Sequence, residues 1–542
     1  MGQMMHMPLL VSSFIRHAAR ESGDTDIVTR RVDGTVHRTN WRTLESRAGK
    51  LAQALRRLGC GPGDRVGTLA WNGDRHLEIY YATSGSQLVC HTINPRLHDD
   101  QIGWIANDAA DRILCFDLTF LPRVERLAPS LGRVRHFIAM TSREHMPPST
   151  ALPGLLCQDD LVDAENGAWE WPEFDENCAS SLCYTSGTTG DPKGALYSHR
   201  STVLHAFAAA TADGMAVRSA DVILPIVPMF HVNAWGLPYT AAMVGAKLVL
   251  PGPALDGASL CALCESEGVT FAAGVTTVWL GMLSHLGEQG RRLSTMRRAV
   301  VGGAACPPSL LRTLTENHHL EVRHAWGMTE MSPLGTVNTP AARPLSADPG
   351  ERLAALSKQG RPLFGVELCV IDDKGQVLPR DGQSAGDLLA RGPWVIERYA
   401  GKDESPLIEI DGRKWFPTGD VATIDVDGRL QITDRSKDVI KSGGEWISSI
   451  ELENIAMAHA AVGEAAAVAC RHPKWDERPL LIVTRRPGAS VTRDELLEFF
   501  QGRVARWQVP NDVVFVDELP HTATGKVQKR ILREQYRDHY SA

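Results

Sequence analysis

Apolar residues recur along this chain with two different spacings, which predict β-strands in some segments and α-helices in others. Short apolar runs at 88–93 and 112–116 predict buried strands. Runs with helical spacing at 41–58 and 76–85 lie beside them, and the first of these helices is predicted to end at Gly59. This alternation predicts an α/β fold built on doubly wound parallel sheets.

The pattern changes at Gly365. Short runs at 366–371 and 386–391 predict antiparallel strands that form a small barrel-like subdomain next to the doubly wound sheets. The segment 141–178 carries Pro, Ser and acidic residues, so we predict loops there. An apolar strand at 179–184 follows, and a helix is predicted at 202–212.

A charged stretch at 434–438 separates two sheet-like parts of the chain. We place a domain boundary at Ser436, which divides the chain into an N-terminal domain of residues 1–435 and a smaller α+β domain of residues 436–542. The elements predicted for the second domain are strands 465–470 and 480–484 and helices 450–458 and 493–504.

Composition narrows the class of protein. The chain of 542 residues is too long for one hydrophobic core, and its 43% hydrophobic and 22% charged residues are globular values. A net charge of −7 predicts no nucleic-acid partner. No apolar run approaches the roughly 18 residues of a transmembrane segment. The eleven scattered cysteines predict reduced thiols, and we expect a cytoplasmic protein.

A cluster of small polar residues follows the strand at 179–184. Strand, glycine-rich turn and helix is an arrangement that directs backbone N–H groups toward a phosphate, while Lys193 supplies positive charge. It is not a Walker A motif, because Gly194 rather than Ser or Thr follows the lysine. The alternative is a flexible surface turn. The predicted phosphate contacts are Thr185, Ser186, Gly187, Thr188, Thr189, Gly190 and Lys193.

Other polar clusters follow predicted strands, at the edge where open α/β sheets bind ligands. Glycines at 302–305 would let a flat ring lie against the backbone. The segment 326–330 combines a stacking surface (Trp326), a hydroxyl (Thr329) and a carboxylate (Glu330). Together these clusters offer what purine, phosphate and metal binding require.

Three more residues extend this set. Asp420 ends the apolar segment 416–420 and is suited to ribose hydroxyls, His231 opens another polar cluster, and Lys526 lies in a tail of small polar residues. Taken singly, such residues are more often a turn acid, a structural histidine and a solvated lysine. Their combination is what points to nucleotide chemistry.

The chain resembles the adenylate-forming superfamily of acyl-CoA synthetases, luciferases and peptide-synthetase adenylation domains. The resemblance covers essentially the full length. It rests on Tyr-Thr-Ser-Gly-Thr-Thr-Gly-Asp-Pro-Lys-Gly from Tyr184, Trp-Gly-Met-Thr-Glu from Trp326, Thr-Gly-Asp420, Asp-Arg435-Ser-Lys437-Asp and Gly-Lys526. The family usually has Tyr where Trp326 stands, so stacking is kept but a phenol hydrogen bond is lost.

The resemblance implies a ligase that uses ATP, Mg²⁺ and coenzyme A. Lys526 would be catalytic and bridge the carboxylate and the α-phosphate, while Thr185 and Glu330 would hold Mg²⁺. Asp420 and Arg435 would bind ribose. Besides the phosphate contacts above, the implied nucleotide-binding residues are Gly303, Ala304, Ala325, Trp326, Gly327, Thr329, Asp420, Arg435 and Lys437.

In the second half-reaction the thiol of CoA attacks the acyl adenylate. The resemblance implies that the C-terminal domain rotates about a hinge at Lys437, so that Lys526 leaves and a glycine-containing segment comes in. The implied CoA-binding residues are Lys441, Gly443, Gly444 and Trp446.

The implied acyl pocket is apolar. Its predicted substrate-binding residues are His231, Trp235, Gly302, Gly303 and Met328. The flanking segments most resemble the subgroup of medium- and long-chain fatty acyl-CoA synthetases that includes methylmercaptopropionate-CoA ligases, in which the equivalent of Trp235 gates a tunnel. A closed Trp235 predicts a short pocket for a small thioether or a short-chain acid. The alternative is that Trp235 belongs only to the core.

Three functions remain open at this point. The first is a ligase for a short- to medium-chain apolar acid and CoA, with longer fatty acids as the alternative. The second is an adenylating enzyme that passes its acyl group to an acceptor other than CoA. The third is a non-catalytic nucleotide-binding homologue, against which Lys526, Glu330 and Asp420 argue. The predicted partners are a small carboxylic acid and CoA, and family analogy predicts a homodimer.

Overall fold

The computed structural model of this protein describes residues 2–185, 191–339, 346, 348–443, 445–521 and 526–540.

Strands are numbered β1–β26 and helices α1–α16 along the chain. The helices are α1 Ser12–Glu21, α2 Trp41–Arg57, α3 Asp74–Gly85, α4 Asp99–Asp108, α5 Leu121–Leu127, α6 Gln158–Asp163, α7 His199–Ala210, α8 Val232–Trp235, α9 Leu237–Val244, α10 Gly257–Glu267, α11 Thr276–Glu288, α12 Pro308–Arg312, α13 Pro349–Ser357, α14 Ser449–Met457, α15 Arg493–Phe499 and α16 Lys529–Tyr536.

The first large sheet has seven strands within the described residues. Its inner pairings are parallel, and only the edge pair β8–β9 is antiparallel. The strands are β3 Arg65–Leu69, β4 Val89–Thr92, β5 Ile113–Phe116, β6 His136–Ala139, β7 Leu156–Cys157, β8 Ala179–Tyr184 and β9 Gly194–Ser198, in the order β7-β6-β5-β3-β4-β8-β9.

The second large sheet has nine strands within the same residues. Its centre is parallel, and antiparallel strands extend it at both edges. The strands are β1 Asp26–Arg30, β2 Val36–Asn40, β10 Val222–Pro225, β11 Lys247–Leu250, β12 Phe271–Val275, β13 Arg298–Gly302, β14 Glu321–Gly327, β15 Leu334–Val337 and β16 Arg361–Pro362, in the order β16-β15-β14-β13-β12-β10-β11-β1-β2.

Two smaller sheets follow in the chain, each with five strands. The first is antiparallel and consists of β17 Glu367–Ile371, β18 Gly386–Arg391, β19 Ile408–Ile410, β20 Arg413–Ile424 and β21 Leu430–Arg435. The second is mixed and consists of β22 Ile440–Ser442, β23 Glu445–Ile447, β24 Val462–His472, β25 Asp476–Arg485 and β26 Asp512–Phe515. The predicted fold class, doubly wound sheets followed by a smaller sheet and an α+β part, is confirmed.

The hydrophobic clusters show which sheets share a core. One cluster contains buried residues of both large sheets and of the first small sheet, for example Ile138, Ile223 and Leu388. The clusters around the last sheet, with Ile440 and Ala466 as their first members, contain only residues from 440 onward in the described parts of the chain. The boundary at Ser436 stays a prediction, which this separation of cores supports.

Three local predictions were wrong. The segment 141–178 contains β7 and α6, because Cys157 and Val162 are apolar and buried. The helix predicted for 493–504 ends at Phe499. The helix predicted at 202–212 begins earlier, at His199, where Ser198 caps it by accepting a hydrogen bond from the backbone of Ser201.

None of the described helices is both long and apolar enough to cross a membrane. All eleven cysteines are unpaired thiols.

Candidate active site

The predicted site residues collect at the carboxyl ends of β8, β13 and β14. Thr185 follows β8 directly, Gly302 is the last residue of β13, and Gly327 is the last residue of β14. Open α/β sheets bind ligands at the carboxyl ends of their strands, and here β8 comes from the seven-stranded sheet and β13 and β14 from the nine-stranded sheet. Asp420 was expected after a strand, and that expectation was wrong. It lies inside β20, where the register pairs it with Arg435 of β21.

The Asp420 carboxylate is buried and held from two sides. The indole Nε1 of Trp326 donates to Oδ2 at 2.9 Å, and Arg435 Nε lies 2.8 Å from Oδ1. Burial raises the pKa of Asp420, although the Arg435 charge and the indole hydrogen bond oppose this. A carboxylate offers about four lone-pair sites, so these two partners leave room for ribose hydroxyls.

A tryptophan at position 326 keeps a hydrogen bond in the site. The expectation that a bond is lost here was incomplete, because the indole N–H reaches Asp420. Space for the larger ring comes from Gly335 in β15, where an added Cβ would lie 2.7 Å from Trp326 Cζ3. Trp326 thus joins the nine-stranded sheet to the small sheet that carries Asp420.

Glu330 lies in a short turn after β14 and is buried. Tyr399 Oη donates to Glu330 Oε1 at 2.7 Å, and Tyr197 Oη donates to the neighbouring backbone carbonyl of Thr329 at 2.5 Å. The sequence analysis missed both tyrosines, because no motif contains them and their partners lie 69 and 132 residues away in the chain. Tyr197 fixes the acidic turn against its own strand β9, and Tyr399 holds the Glu330 carboxylate from the segment after β18.

Thr185 and Lys193 close the base of the predicted phosphate loop. The backbone N–H of Thr185 donates to the carbonyl of Lys193 at 2.9 Å, and the N–H of Lys193 donates to Thr185 Oγ1 at 3.2 Å. The Lys193 ammonium lies 5.0 Å from the ring centroid of Tyr399. The other predicted phosphate contacts lie outside the described residues: Ser186, Gly187, Thr188, Thr189 and Gly190.

The expected strand, turn and helix arrangement is wrong for this loop. The loop joins β8 to β9, which pair antiparallel, and helix α7 begins only after β9. Residues 194–198 were not recognised as a strand because the run is short and Gly194 opens it. The loop is therefore presented by a hairpin and not by a helix N-terminus.

The donor set fits Mg²⁺. Glu330 and Thr185 offer oxygen ligands, which a hard cation prefers, and Mg²⁺ is usually held by one or two carboxylates together with substrate phosphates. Tyr399 occupies one position on Glu330, which leaves lone pairs for a cation.

Trp235 packs against the glycines after β13. A Cβ at Gly302 would lie 3.1 Å from Trp235 Cη2 and 2.9 Å from the carbonyl oxygen of Ala325. A Cβ at Gly303 would lie 3.2 Å from Val275 Cγ1 and 3.9 Å from Lys526 Cε. Gly303 has a φ of 78° and is exposed, as is Ala304. The glycines therefore let the indole and the lysine approach the same piece of backbone.

Lys526 is brought to this site from the C-terminal part of the chain. Burial and the charge of Arg435 lower the pKa of its ammonium to about 8, while Asp420 acts in the opposite direction. His231 is close enough that burial and the Lys526 charge together lower the pKa of its ring to about 3. A neutral His231 is suited to a pocket for an apolar acid. Met328 packs partly buried against the core.

The predicted CoA segment lies in the last sheet. Lys441 of β22 pairs with Trp446 of β23, and the Trp446 side chain is 46% exposed. Gly443 has a φ of 60°, and a Cβ there would lie 2.9 Å from Trp475. The contacts of this hairpin are with its own sheet, and Gly444 lies outside the described residues.

The hinge predicted at Lys437 follows β21. Its backbone carbonyl accepts a hydrogen bond from Arg533 Nη1 at 2.6 Å, and burial lowers the pKa of its ammonium. This contact links the connection between the two parts of the chain to helix α16.

Comparison with known proteins assigns this arrangement to a family. A model of the AMP-binding enzymes matches residues 15–400, and a model of the AMP-binding enzyme C-terminal domain matches residues 451–526. The crystal structure of an anthranilate CoA ligase in complex with anthranoyl-AMP has the same fold, with a TM-score of 0.86 and 24% identity over 99% of both chains.

Two relatives match nearly the whole chain. A 3-methylmercaptopropionyl-CoA ligase of Ruegeria lacuscaerulensis is 54% identical over 538 residues, which cover 99% of both chains. A medium-chain-fatty-acid–CoA ligase of Ectopseudomonas oleovorans is 52% identical over 538 residues, which cover 99% of this chain and 98% of that protein.

Replacing Trp326 with Phe tests how Asp420 is held. The substitution keeps an aromatic face and removes the N–H that Asp420 accepts. We expect ATP to bind at least about tenfold more weakly, because a hydrogen bond to a charged group contributes about 1.5–3 kcal/mol. Calorimetric titration with ATP measures the change, with Trp326→Tyr as the control that retains a donor. Unchanged affinity in Trp326→Phe would contradict this account of the site.

Proposed function

This chain belongs to the AMP-binding enzyme family and is an ATP-dependent acyl-CoA ligase, and we propose that its acid is a short- to medium-chain apolar acid such as 3-methylmercaptopropionate. The overall reaction converts a carboxylate, ATP and CoA to acyl-CoA, AMP and diphosphate through an acyl adenylate. The enzyme uses ATP, Mg²⁺ and CoA.

The first step forms the acyl adenylate. An oxygen of the carboxylate attacks the α-phosphorus of ATP, and the bond to the bridging oxygen breaks so that diphosphate leaves with the electron pair. The charge that builds up on the phosphoryl oxygens is stabilised by fixed positive groups. We assign the contact with the carboxylate and the α-phosphate to Lys526, whose position beside Gly303 and Asp420 supports this role.

The remaining nucleotide contacts follow from the site. Asp420 and Arg435 bind the ribose, and the exposed backbone at Gly303 and Ala304 lies against adenine. Mg²⁺, when bound, neutralises phosphate charge, and Glu330 with Thr185 would hold it. Thr329 contacts the α-phosphate.

The second step transfers the acyl group to CoA. The thiol sulfur attacks the adenylate carbonyl, AMP leaves, and the thiol proton is released. Lys526 occupies the space beside Gly303, so it has to move before the thiol can enter. We propose that residues 436–542 rotate about Lys437 and bring in the hairpin with Lys441, Gly443, Gly444 and Trp446.

The observation that carries the proposal about the acid is the position of Trp235. Trp235 is only 6% exposed and packs against Gly302 and Gly303, and Gly303 also lies beside Lys526. We propose that in this position the indole forms the end of a short apolar acyl pocket that includes His231. A pocket without a fixed cation does not favour dicarboxylates.

A medium- or long-chain fatty acid is the second candidate. It is favoured by the 52% identity to a medium-chain-fatty-acid–CoA ligase. For such an acid, Trp235 would have to leave Gly302 and open the pocket.

We also propose the oligomeric state and the cellular location of the enzyme. Family analogy supports a homodimer. The eleven unpaired thiols are typical of proteins from reducing compartments, which supports a cytoplasmic location.

Lys526→Ala separates the two half-reactions. We expect loss of adenylate formation, because no other charge replaces the ammonium between the carboxylate and the α-phosphate. Thioester formation from a preformed acyl adenylate is expected to continue. Diphosphate release and thioester formation are measured separately, and diphosphate release at the wild-type rate would show that Lys526 is not catalytic.

The role of Trp235 is tested with a series of acids. In an AMP-release assay with straight-chain acids from acetate to palmitate, together with 3-methylmercaptopropionate and cinnamate, the wild type is expected to prefer the short acids and the thioether. Trp235→Ala is expected to increase the turnover of the longest acids relative to butanoate about tenfold or more, because each added methylene is worth about 1–3 kcal/mol in an apolar pocket. Trp235→Phe controls for the loss of packing. A wild-type preference for long acids would refute the short pocket.

A further inference from the structure

The segment that carries Trp235 has an unusual backbone. Val232, Asn233, Ala234 and Trp235 have φ values of 47°, 51°, 50° and 56°, and Gly236 follows at 74°. Left-handed backbone is unfavourable for residues with a Cβ and is normally confined to single residues. Such conformations persist only where surrounding contacts hold them, and they cluster at ligand sites. The structure must therefore contain a contact that holds this turn.

The side chain of Asn233 supplies that contact. It is 3% exposed, and its amide is engaged on both sides. The thiol of Cys183 donates to Asn233 Oδ1 at 2.9 Å, and Asn233 Nδ2 donates to Tyr239 Oη at 3.0 Å. Asparagine also tolerates left-handed backbone better than most residues. Both properties suit Asn233 to the second position of this turn.

The partners of Asn233 belong to rigid elements. Cys183 lies in β8, two residues before Thr185 at the base of the phosphate loop. Tyr239 lies in α9 and is buried in the core. The amide thus ties the turn to the strand that presents the phosphate loop and to the helix that follows the turn.

The turn that Asn233 holds also sets the position of the Trp235 indole, two residues later. Trp235 is at the end of the left-handed run, and its ring lies against Gly302 and Gly303. A rotation of the backbone at Asn233 or Ala234 would swing this ring away from the glycines. Gly236 closes the turn beside the His205 ring, which an added Cβ at this position would approach to 2.9 Å.

We propose that Asn233 is a positioning residue for acyl-chain length, which holds the left-handed turn and thereby keeps Trp235 against Gly302 and Gly303. It contacts the substrate only through Trp235. The proposal rests on the function proposed above, in which the Trp235 ring ends the acyl pocket.

The test compares the ratio of kcat/KM values for acids of different chain length, and not the activity with a single acid. Asn233→Gly keeps a residue that accepts left-handed backbone and removes the amide. We expect the ratio of kcat/KM for octanoate to that for butanoate to rise about tenfold, with the KM for ATP unchanged. Tyr239→Phe removes one hydrogen-bond partner with little change in volume, and it is expected to shift the ratio in the same direction by a smaller factor.

A matched control is available in Asn338. It is also a buried asparagine, and its amide donates to the carbonyls of Ala355, Leu356 and Lys358. Asn338→Gly is expected to lower the melting temperature and to leave the octanoate-to-butanoate ratio at the wild-type value. If Asn233 had only a structural role, Asn233→Gly would likewise lower the melting temperature and leave the octanoate-to-butanoate ratio unchanged.

The outcomes are distinguishable. Unchanged ratios in Asn233→Gly and Tyr239→Phe, with a changed ratio in Trp235→Ala, overturn the role of Asn233 alone. An unchanged ratio in Trp235→Ala overturns the short pocket and this inference with it. If Asn233→Gly does not fold, the ratio in Tyr239→Phe decides, and a wild-type value refutes the proposal.

Discussion

A buried carboxylate has to be compensated, and Asp420 is compensated from three parts of the chain. Trp326 reaches it from the nine-stranded sheet, Arg435 from the neighbouring strand β21, and the Lys526 charge acts on it from the C-terminal part. Removing one of these partners would leave the buried Asp420 charge less compensated, which is unfavourable because the carboxylate stays buried. Asp420 therefore links the nine-stranded sheet, the first small sheet and the C-terminal part of the chain.

The same group of charges sets the state of Lys526. Burial and Arg435 favour the neutral amine, whereas Asp420 favours the ammonium. A pKa of about 8 leaves the group mostly charged at neutral pH, and anionic phosphate and carboxylate oxygens beside it would favour the charged form further. A charged Lys526 at neutral pH is what its proposed role in adenylate formation requires.

Much of the fold and part of the site were predictable from the sequence, for identifiable reasons. Apolar runs such as β11 and β18 show their bounds directly, and the carboxyl-end rule placed Thr185 after β8 of one large sheet and Gly302 and Trp326 at the ends of β13 and β14 of the other. The hairpin β8–β9 was not predictable, since Gly194 hides a short strand. Contacts such as Tyr399 with Glu330 and Cys183 with Asn233 depend on the approach of residues distant in the chain, so no local pattern signals them.

The most direct test of the central claim is the pH dependence of kcat/KM for ATP in diphosphate release. We predict that the wild-type rate falls as pH rises through about 8, because Lys526 loses its proton. In Arg435→Gln this fall in rate should occur at higher pH, and in Asp420→Asn it should occur at lower pH. In Lys526→Arg the fall should disappear, since arginine stays charged. If the rate of Arg435→Gln and of Asp420→Asn falls at the same pH as that of the wild type, the electrostatic coupling of these three residues is contradicted.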